Sequence, residues 1–311
     1  MESFLHSVSS VAIILLLTAA GYFCAARHWM NADSKAFISK FVMAMALPCM
    51  TARSFSINLT RERILDSVHL LLIPITCMAL NYVISYALGR LMKITARRMG
   101  VFMMMCSMSN TIFVGYAMCT ELFGEAAVPY IMLFYLVSTC YTQLIGIPLV
   151  RRFSTPDGAP KVHFLSMFIK TPAILAIFLG IAMVMCGWNF PPLIDSFCRY
   201  MSNVVTPLAL LMTGYIIYDI GLSNLRIEPA MWVVLGFRFF FSPLMFLLMC
   251  HLLGVTGLPM KVFLIEAAMP VITLSVVAAV EYGGDDEFAA QGSAISTLAS
   301  FLVIPVYMFF L

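Results

Sequence analysis

About twenty apolar residues are what an α-helix needs to cross a hydrocarbon core about 30 Å thick, and such runs recur along the whole of this 311-residue sequence. They cover Ser7–Arg27, Phe37–Ser54, Val68–Gly89, Gly100–Leu122 and Val128–Val150, then Phe164–Cys186, Phe197–Tyr218, Met231–Leu253, Val262–Tyr282 and Gly292–Leu311. Charged or Pro/Gly-containing connectors bound them. With 62% hydrophobic and only 11% charged residues, the chain lacks the polar material for a water-facing surface, which ordinarily draws on about 25% charged residues. The expected fold class is an all-α membrane protein of ten transmembrane helices, with the lipid bilayer as its solvent.

The first run has no basic residue ahead of it and no convincing small-residue cleavage site, so it reads as a retained span. The longest connector, Arg151–His163, contains the turn Ser154-Thr155-Pro156-Asp157-Gly158 and is too short for a soluble domain. A single transmembrane domain over 1–311 is expected. Its halves are 1–150 and 164–311, joined by the connector 151–163.

Lys and Arg are distributed unevenly between the loops. Arg27, Lys35, Lys40, Arg90, Lys93, Arg97, Arg98, Arg151, Arg152, Lys161, Lys170 and Arg226 flank odd-numbered loops, whereas Arg53, Arg61, Arg63, Arg199 and Lys261 flank even-numbered ones. Cytoplasmic loops retain positive charge, which predicts a cytoplasmic 151–163 connector and both termini outside. The acidic loop Glu281–Glu287 then lies inside, and carboxylates weigh little in this rule.

The two halves share a pattern. Met99-Gly100-Val101-Phe102 opens the fourth run and Met260-Lys261-Val262-Phe263 the ninth, with Met108 aligned to Met269 and Ser109 to Pro270. Pro48 corresponds to Pro207, and Ser138-Thr139 with Ile147-Pro148 corresponds to Ser296-Thr297 with Ile304-Pro305. Five runs per half make the second half enter the membrane inverted. That is the architecture of many alternating-access carriers, whose sites lie near the midplane where helices are interrupted.

Polar residues deep in apolar runs are costly and mark candidate sites. Ser107-Met108-Ser109-Asn110-Thr111 sits mid-run, and its side chains compete for the backbone. In the ninth run, Glu266, Pro270 and Thr273 share a helical face, and Pro270 removes a backbone donor. Glu266 must be protonated, paired or facing water, which suits coupling to a proton or cation. Arg238 keeps its charge and needs a partner: Glu266, a substrate carboxylate, or water reached by snorkelling. Half-helix N-termini at two breaks would favour an anion, so the expected ligand is a small carboxylate held by Ser109, Asn110, Thr111, Pro270 and Thr273. Glu266 and Arg238 are the expected coupling or charge-balancing groups.

No cofactor and no metal are expected. The nine cysteines are scattered singly, the five histidines are dispersed, and neither a Walker loop nor H-E-x-x-H occurs. Tyr218-Asp219 and Gly283-Gly284-Asp285 superficially match an intramembrane aspartyl protease, but Tyr282 stands where that motif needs Gly. An enzyme is therefore not expected, nor a nucleic-acid partner. An anion channel or a membrane anion sensor is the alternative to a carrier.

The sequence resembles the auxin efflux carrier family, within the bile acid/sodium symporter-like superfamily, whose bacterial branch includes malate and malonate permease-like proteins. The resemblance rests on Ser109-Asn110-Thr111-Ile112-Phe113-Val114-Gly115, on Ala267-Ala268-Met269-Pro270, and on Ala278-Ala279-Val280-Glu281-Tyr282-Gly283-Gly284-Asp285. It implies two inverted five-helix repeats, broken and crossing fourth and ninth helices, a carboxylate such as malate at the crossing, and homodimers in some relatives. It also implies a multi-pass permease of the bacterial cytoplasmic (inner) membrane. Ile112 and Ala117 replace the family's usual Gly and Pro, and the Asn common near Thr273 is absent.

Overall fold

The computed structural model describes residues 2–58, 61, 68–154, 172–221 and 227–310. The connector beyond Ser154, residues 164–171 of the sixth run, and Arg63, Lys161, Lys170 and Arg226 lie outside the described residues.

The described chain is helical: α1 (Glu2–Ala26), α2 (Ala32–Ile57), α3 (His69–Leu91), α4 (Ala96–Ser107), α5 (Thr111–Phe123), α6 (Glu125–Ser154), α7 (Pro172–Cys186), α8 (Pro192–Ile220), α9 (Pro229–Leu252), α10 (Leu258–Ala267), α11 (Leu274–Tyr282) and α12 (Asp286–Phe310). Among these, α2, α3, α6, α8, α9 and α12 are long and apolar enough to cross a bilayer, while Ala12–Ala26, α5 and α7 are shorter apolar helices. Large apolar side chains face outward, Leu16, Val83, Phe240 and Leu302 among them, which fits a lipid solvent.

The fourth and ninth apolar runs are each two helices rather than one. Consequently Glu266, Pro270 and Thr273 do not share a helical face: Glu266 is on α10, Pro270 lies in the break, and Thr273 is the N-cap of α11. Pro270 brings no N–H to the helical ladder, and the carbonyl it would have bonded, that of Glu266, instead accepts the Met269 N–H at 3.3 Å.

Prolines also explain three of the four wide turns among the described residues, the fourth, Thr111–Tyr116, being followed by Ala117. A π-turn occupies Val42–Ala46 before Pro48, Thr142–Gly146 before Pro148, and Phe237–Phe241 before Pro243. In each, the residue preceding proline donates five positions back: Leu47 to Val42, Ile147 to Thr142, Ser242 to Phe237. The widening accommodates the proline ring and the missing donor. On α9 it stretches the buried stripe to Met231, Val234, Arg238, Ser242, Phe246 and Cys250, near four residues per step, and so keeps Arg238 on the inward face. The carbonyl of Phe239, four residues before Pro243, accepts the Tyr307 hydroxyl from α12.

The chain forms two compact units. Unit 1 comprises Met1–Leu71, Ile112–Leu136 and Phe164–Asp219. In it α1 and α8 touch through their backbones: a Cβ on Gly21 would lie 2.1 Å from the Leu211 carbonyl oxygen, and one on Gly214 2.0 Å from that of Thr18. Contacts this close through small residues replace the hydrophobic driving force that lipid does not supply. Arg53 Nε donates to Asp195 Oδ1 at 2.9 Å, linking α2 to α8.

Unit 2 comprises Leu72–Thr111, Val137–His163 and Ile220–Leu311. At one of its ends Arg98 binds Asp285 at 2.6 Å and also Glu228, while Arg97 Nε donates to the carbonyls of Gly283 and Gly284. The Arg151 guanidinium lies 5.4 Å from the Tyr282 ring. Residues beside the third, fifth, seventh and ninth connectors therefore meet at the same end, and the acidic Glu281–Glu287 loop finds its cations on α4.

Gly214→Ala is expected to force α1 and α8 apart at an overpacking cost of about 1–3 kcal/mol. A lowered melting temperature of the purified protein in detergent checks this; an unchanged one would mean that the two backbones do not touch.

Candidate functional site

The breaks of the fourth and ninth runs meet within unit 2. Ser109 and Val271 form an isolated antiparallel bridge. The Asn110 N–H donates to the Pro270 carbonyl at 2.9 Å, and the Ile272 N–H to the Met108 carbonyl at 3.3 Å. Val271 has its own N–H bonded to Ser296 Oγ on α12 at 3.0 Å. A buried backbone donor must find an acceptor, and here each break supplies acceptors for the other.

Two residues at the starts of the resumed helices also meet. Asn110, immediately before α5, donates from Nδ2 to Thr273 Oγ1 at 3.0 Å. Thr273 occupies the N-cap position of α11, yet its hydroxyl makes no bond to its own helix. Ser109 Oγ and Thr111 Oγ1 lie 3.4 Å apart, and Ser109, Asn110, Thr111 and Pro270 are buried while Thr273 is half-buried.

Arg238 stands at the opposite ends of the half-helices. It is 1% exposed. Its Nη1 donates to the Cys106 carbonyl at 3.3 Å, in the last turn of α4. Nη2 donates to the carbonyls of Ala267 at 2.8 Å and Met269 at 2.9 Å, and Nε to Met269 at 3.2 Å, at the end of α10. The guanidinium thus joins the C-terminal ends of two helices whose last carbonyls have lost their intrahelical donors. Glu266, fully buried on α10, interacts with Arg238 electrostatically, while the guanidinium's hydrogen bonds run to main-chain oxygens.

A family model described as membrane transport protein matches residues 6–163 and 159–308. The chain belongs to this auxin efflux carrier-like family. An uncharacterized transporter of Methanocaldococcus jannaschii is 25% identical over 304 residues, covering 96% of each chain. An uncharacterized transporter of Methanothermobacter thermautotrophicus is 24% identical over 309 residues, covering 98% of each. The chain is accordingly a multi-pass membrane transport protein, and family and relatives point to transport rather than catalysis.

Asp285, part of the protease-like triplet, is bound by Arg98 and caps α12 by accepting the Phe288 N–H at 3.0 Å. Asp219 is exposed at the end of α8. Ser296 had no assigned role in the sequence reading, although its match to Ser138 in the repeat was a usable signal. Asn81 on α3 was missed altogether. Its Nδ2 donates to Ser242 Oγ on α9 at 3.0 Å, and a lone Asn in an apolar run was the signal that could have found it.

Ser296→Ala leaves the Val271 N–H without its hydroxyl partner, at a cost of about 1–3 kcal/mol. A reduced melting temperature of the variant is the expected outcome, and no change would show that Ser296 does not hold the break.

Proposed function

We propose that this protein is a secondary active transporter that moves a small organic anion bearing a carboxylate, such as malate, by alternating access. The observation that carries the reading is the placement of charge at the paired breaks. Each half-helix end bears roughly half an elementary charge, negative at C-termini and positive at N-termini. Arg238 occupies the C-terminal ends of α4 and α10. The N-terminal ends of α5 and α11 are left with the neutral donor Asn110 and the hydroxyl of Thr273. A carboxylate entering there exchanges the Asn110–Thr273 hydrogen bond for charge-assisted ones, which are about twice as strong.

The ten spans read as two inverted five-helix repeats, with α4/α5 and α10/α11 as the broken fourth and ninth. Two observations support this. The serines matched in sequence each reach the break of their own half: Ser138 Oγ lies 3.9 Å from Met108 Sδ, and Ser296 Oγ accepts the Val271 N–H. Corresponding stretches also share a unit over most of the repeat, 1–71 with 164–219 in unit 1 and 72–111 with 233–272 in unit 2, whereas 112–136 falls in unit 1 and its counterpart 273–297 in unit 2. In this reading, rocking of one repeat against the other exposes the site to each side in turn. Glu266 couples transport to a proton or another cation by changing its charge. The loop charges support both termini outside the bacterial cytoplasmic membrane, and the homodimers of some relatives support the same assembly here.

Asn110→Ala removes one hydrogen bond to a charged group, worth about 1.5–3 kcal/mol. Uptake of malate, malonate or pyruvate into proteoliposomes should fall about ten- to a hundredfold. Unchanged uptake of every transported acid would place the site elsewhere. Single-channel currents with flux linear in substrate would indicate a channel, and tight binding without flux a sensor.

Glu266→Gln fixes a neutral side chain. Accumulation against a gradient should lose its pH dependence while exchange persists; an unaltered pH profile would remove Glu266 from coupling.

A further inference from the structure

From the geometry around Arg238 we infer that it is a positioning residue: its charge sets the affinity for the anion without touching it. This rests on the transporter reading above and assigns one group within it.

All three guanidinium nitrogens are engaged with carbonyls. A carboxylate bound bidentately by the same fork would have to strip those carbonyls of their donors at a side chain only 1% exposed. The carbonyls belong to two helices, one from each half of the chain, so a single side chain fixes the ends of both breaks. With Glu266 neutral, the charges also balance. Two helix C-termini carry about −0.5 each, and one guanidinium offsets them.

The distance to the anion site is short. Ser107 and Asn110 are three residues apart, and four separate Met269 from Thr273, at most about 10–14 Å of extended chain. An uncompensated negative charge at the C-terminal ends therefore acts on any anion held at the N-terminal ends, since the low dielectric of the interior screens it weakly.

Arginine and lysine differ here in a way that separates the two parts of this role. A planar fork spans carbonyls on two helices; an ammonium keeps the charge but is a point donor. At the offset relating Met99 to Met260, 260 − 99 = 161, the counterpart of Arg238 is residue 238 − 161 = 77, which is Cys77. Cys77 Sγ lies 3.7 Å from the Met245 carbonyl. One half of the repeat thus supplies the cation for both.

The test compares the parent protein with Arg238→Gln and Arg238→Lys in detergent and in proteoliposomes. Apparent affinities for malate, malonate and pyruvate come from thermal shift, with uncharged malonamide as the control, since a ligand that prefers the native state stabilises it by mass action. Arg238→Gln should lose at least tenfold in affinity for every acid that stabilises the parent, equivalent to about 1.4 kcal/mol. Arg238→Lys should hold affinity within about threefold while its maximal transport rate falls at least tenfold. If the Gln variant does not fold, the split between affinity and rate in the Lys variant decides alone.

An equal loss of affinity in Lys and Gln variants would make Arg238 a direct carboxylate ligand and overturn the inference while leaving the transporter in place. Unchanged affinity in Arg238→Gln would reduce the residue to a structural brace. If none of the three acids binds or is carried by the parent, the anion reading fails and takes this inference with it.

Discussion

A helix that stops inside a bilayer leaves its last carbonyls facing a solvent that cannot donate to them, and this structure meets that constraint twice within one compact unit. Its remedy is shared. Arg238 donates to the ends of α4 and α10, and the extended residues of each break donate to the other. Neither break is self-sufficient, so the first half of the sequence cannot form its interruption without the second. Unsatisfied backbone groups in lipid cost several kcal/mol each, which makes this mutual satisfaction a condition for the fold as well as for the site.

The proposed site depends on that same bookkeeping of donors. Once Arg238 has taken the negative ends, Asn110 and Thr273 define the place where positive helix ends and neutral polar groups converge. Proline contributes at several removes. Pro270 interrupts the ninth span, and Pro243 widens α9 so that Arg238 stays on its buried stripe. The carbonyl orphaned by Pro243 is then taken up by Tyr307. Residues that weaken an isolated helix are tolerated here because neighbouring helices supply the missing donors.

Membership of the membrane transport protein family agrees with this chemistry of long apolar helices and two interrupted runs. Ion pairs at the end of unit 2 add to it. Arg97 and Arg98 of α4 hold the Gly283–Asp286 corner between α11 and α12, so the interrupted helices of the two halves are tied at their ends as well as at their breaks.

The sequence by itself determined the class, because apolar runs of bilayer length and scarce charge leave lipid as the solvent. It also marked Asn110, Arg238, Glu266, Pro270 and Thr273, since each is expensive in an apolar run unless something answers it. What answers them was decided only by tertiary structure. Periodicity made one helical face of Glu266, Pro270 and Thr273, and the chain instead breaks between them, because the donors that make the break affordable come from residues far away in sequence. A cation's partner was sought among carboxylates for the same reason: side chains are visible in a sequence, whereas the carbonyls that Arg238 caps become acceptors only where a helix ends.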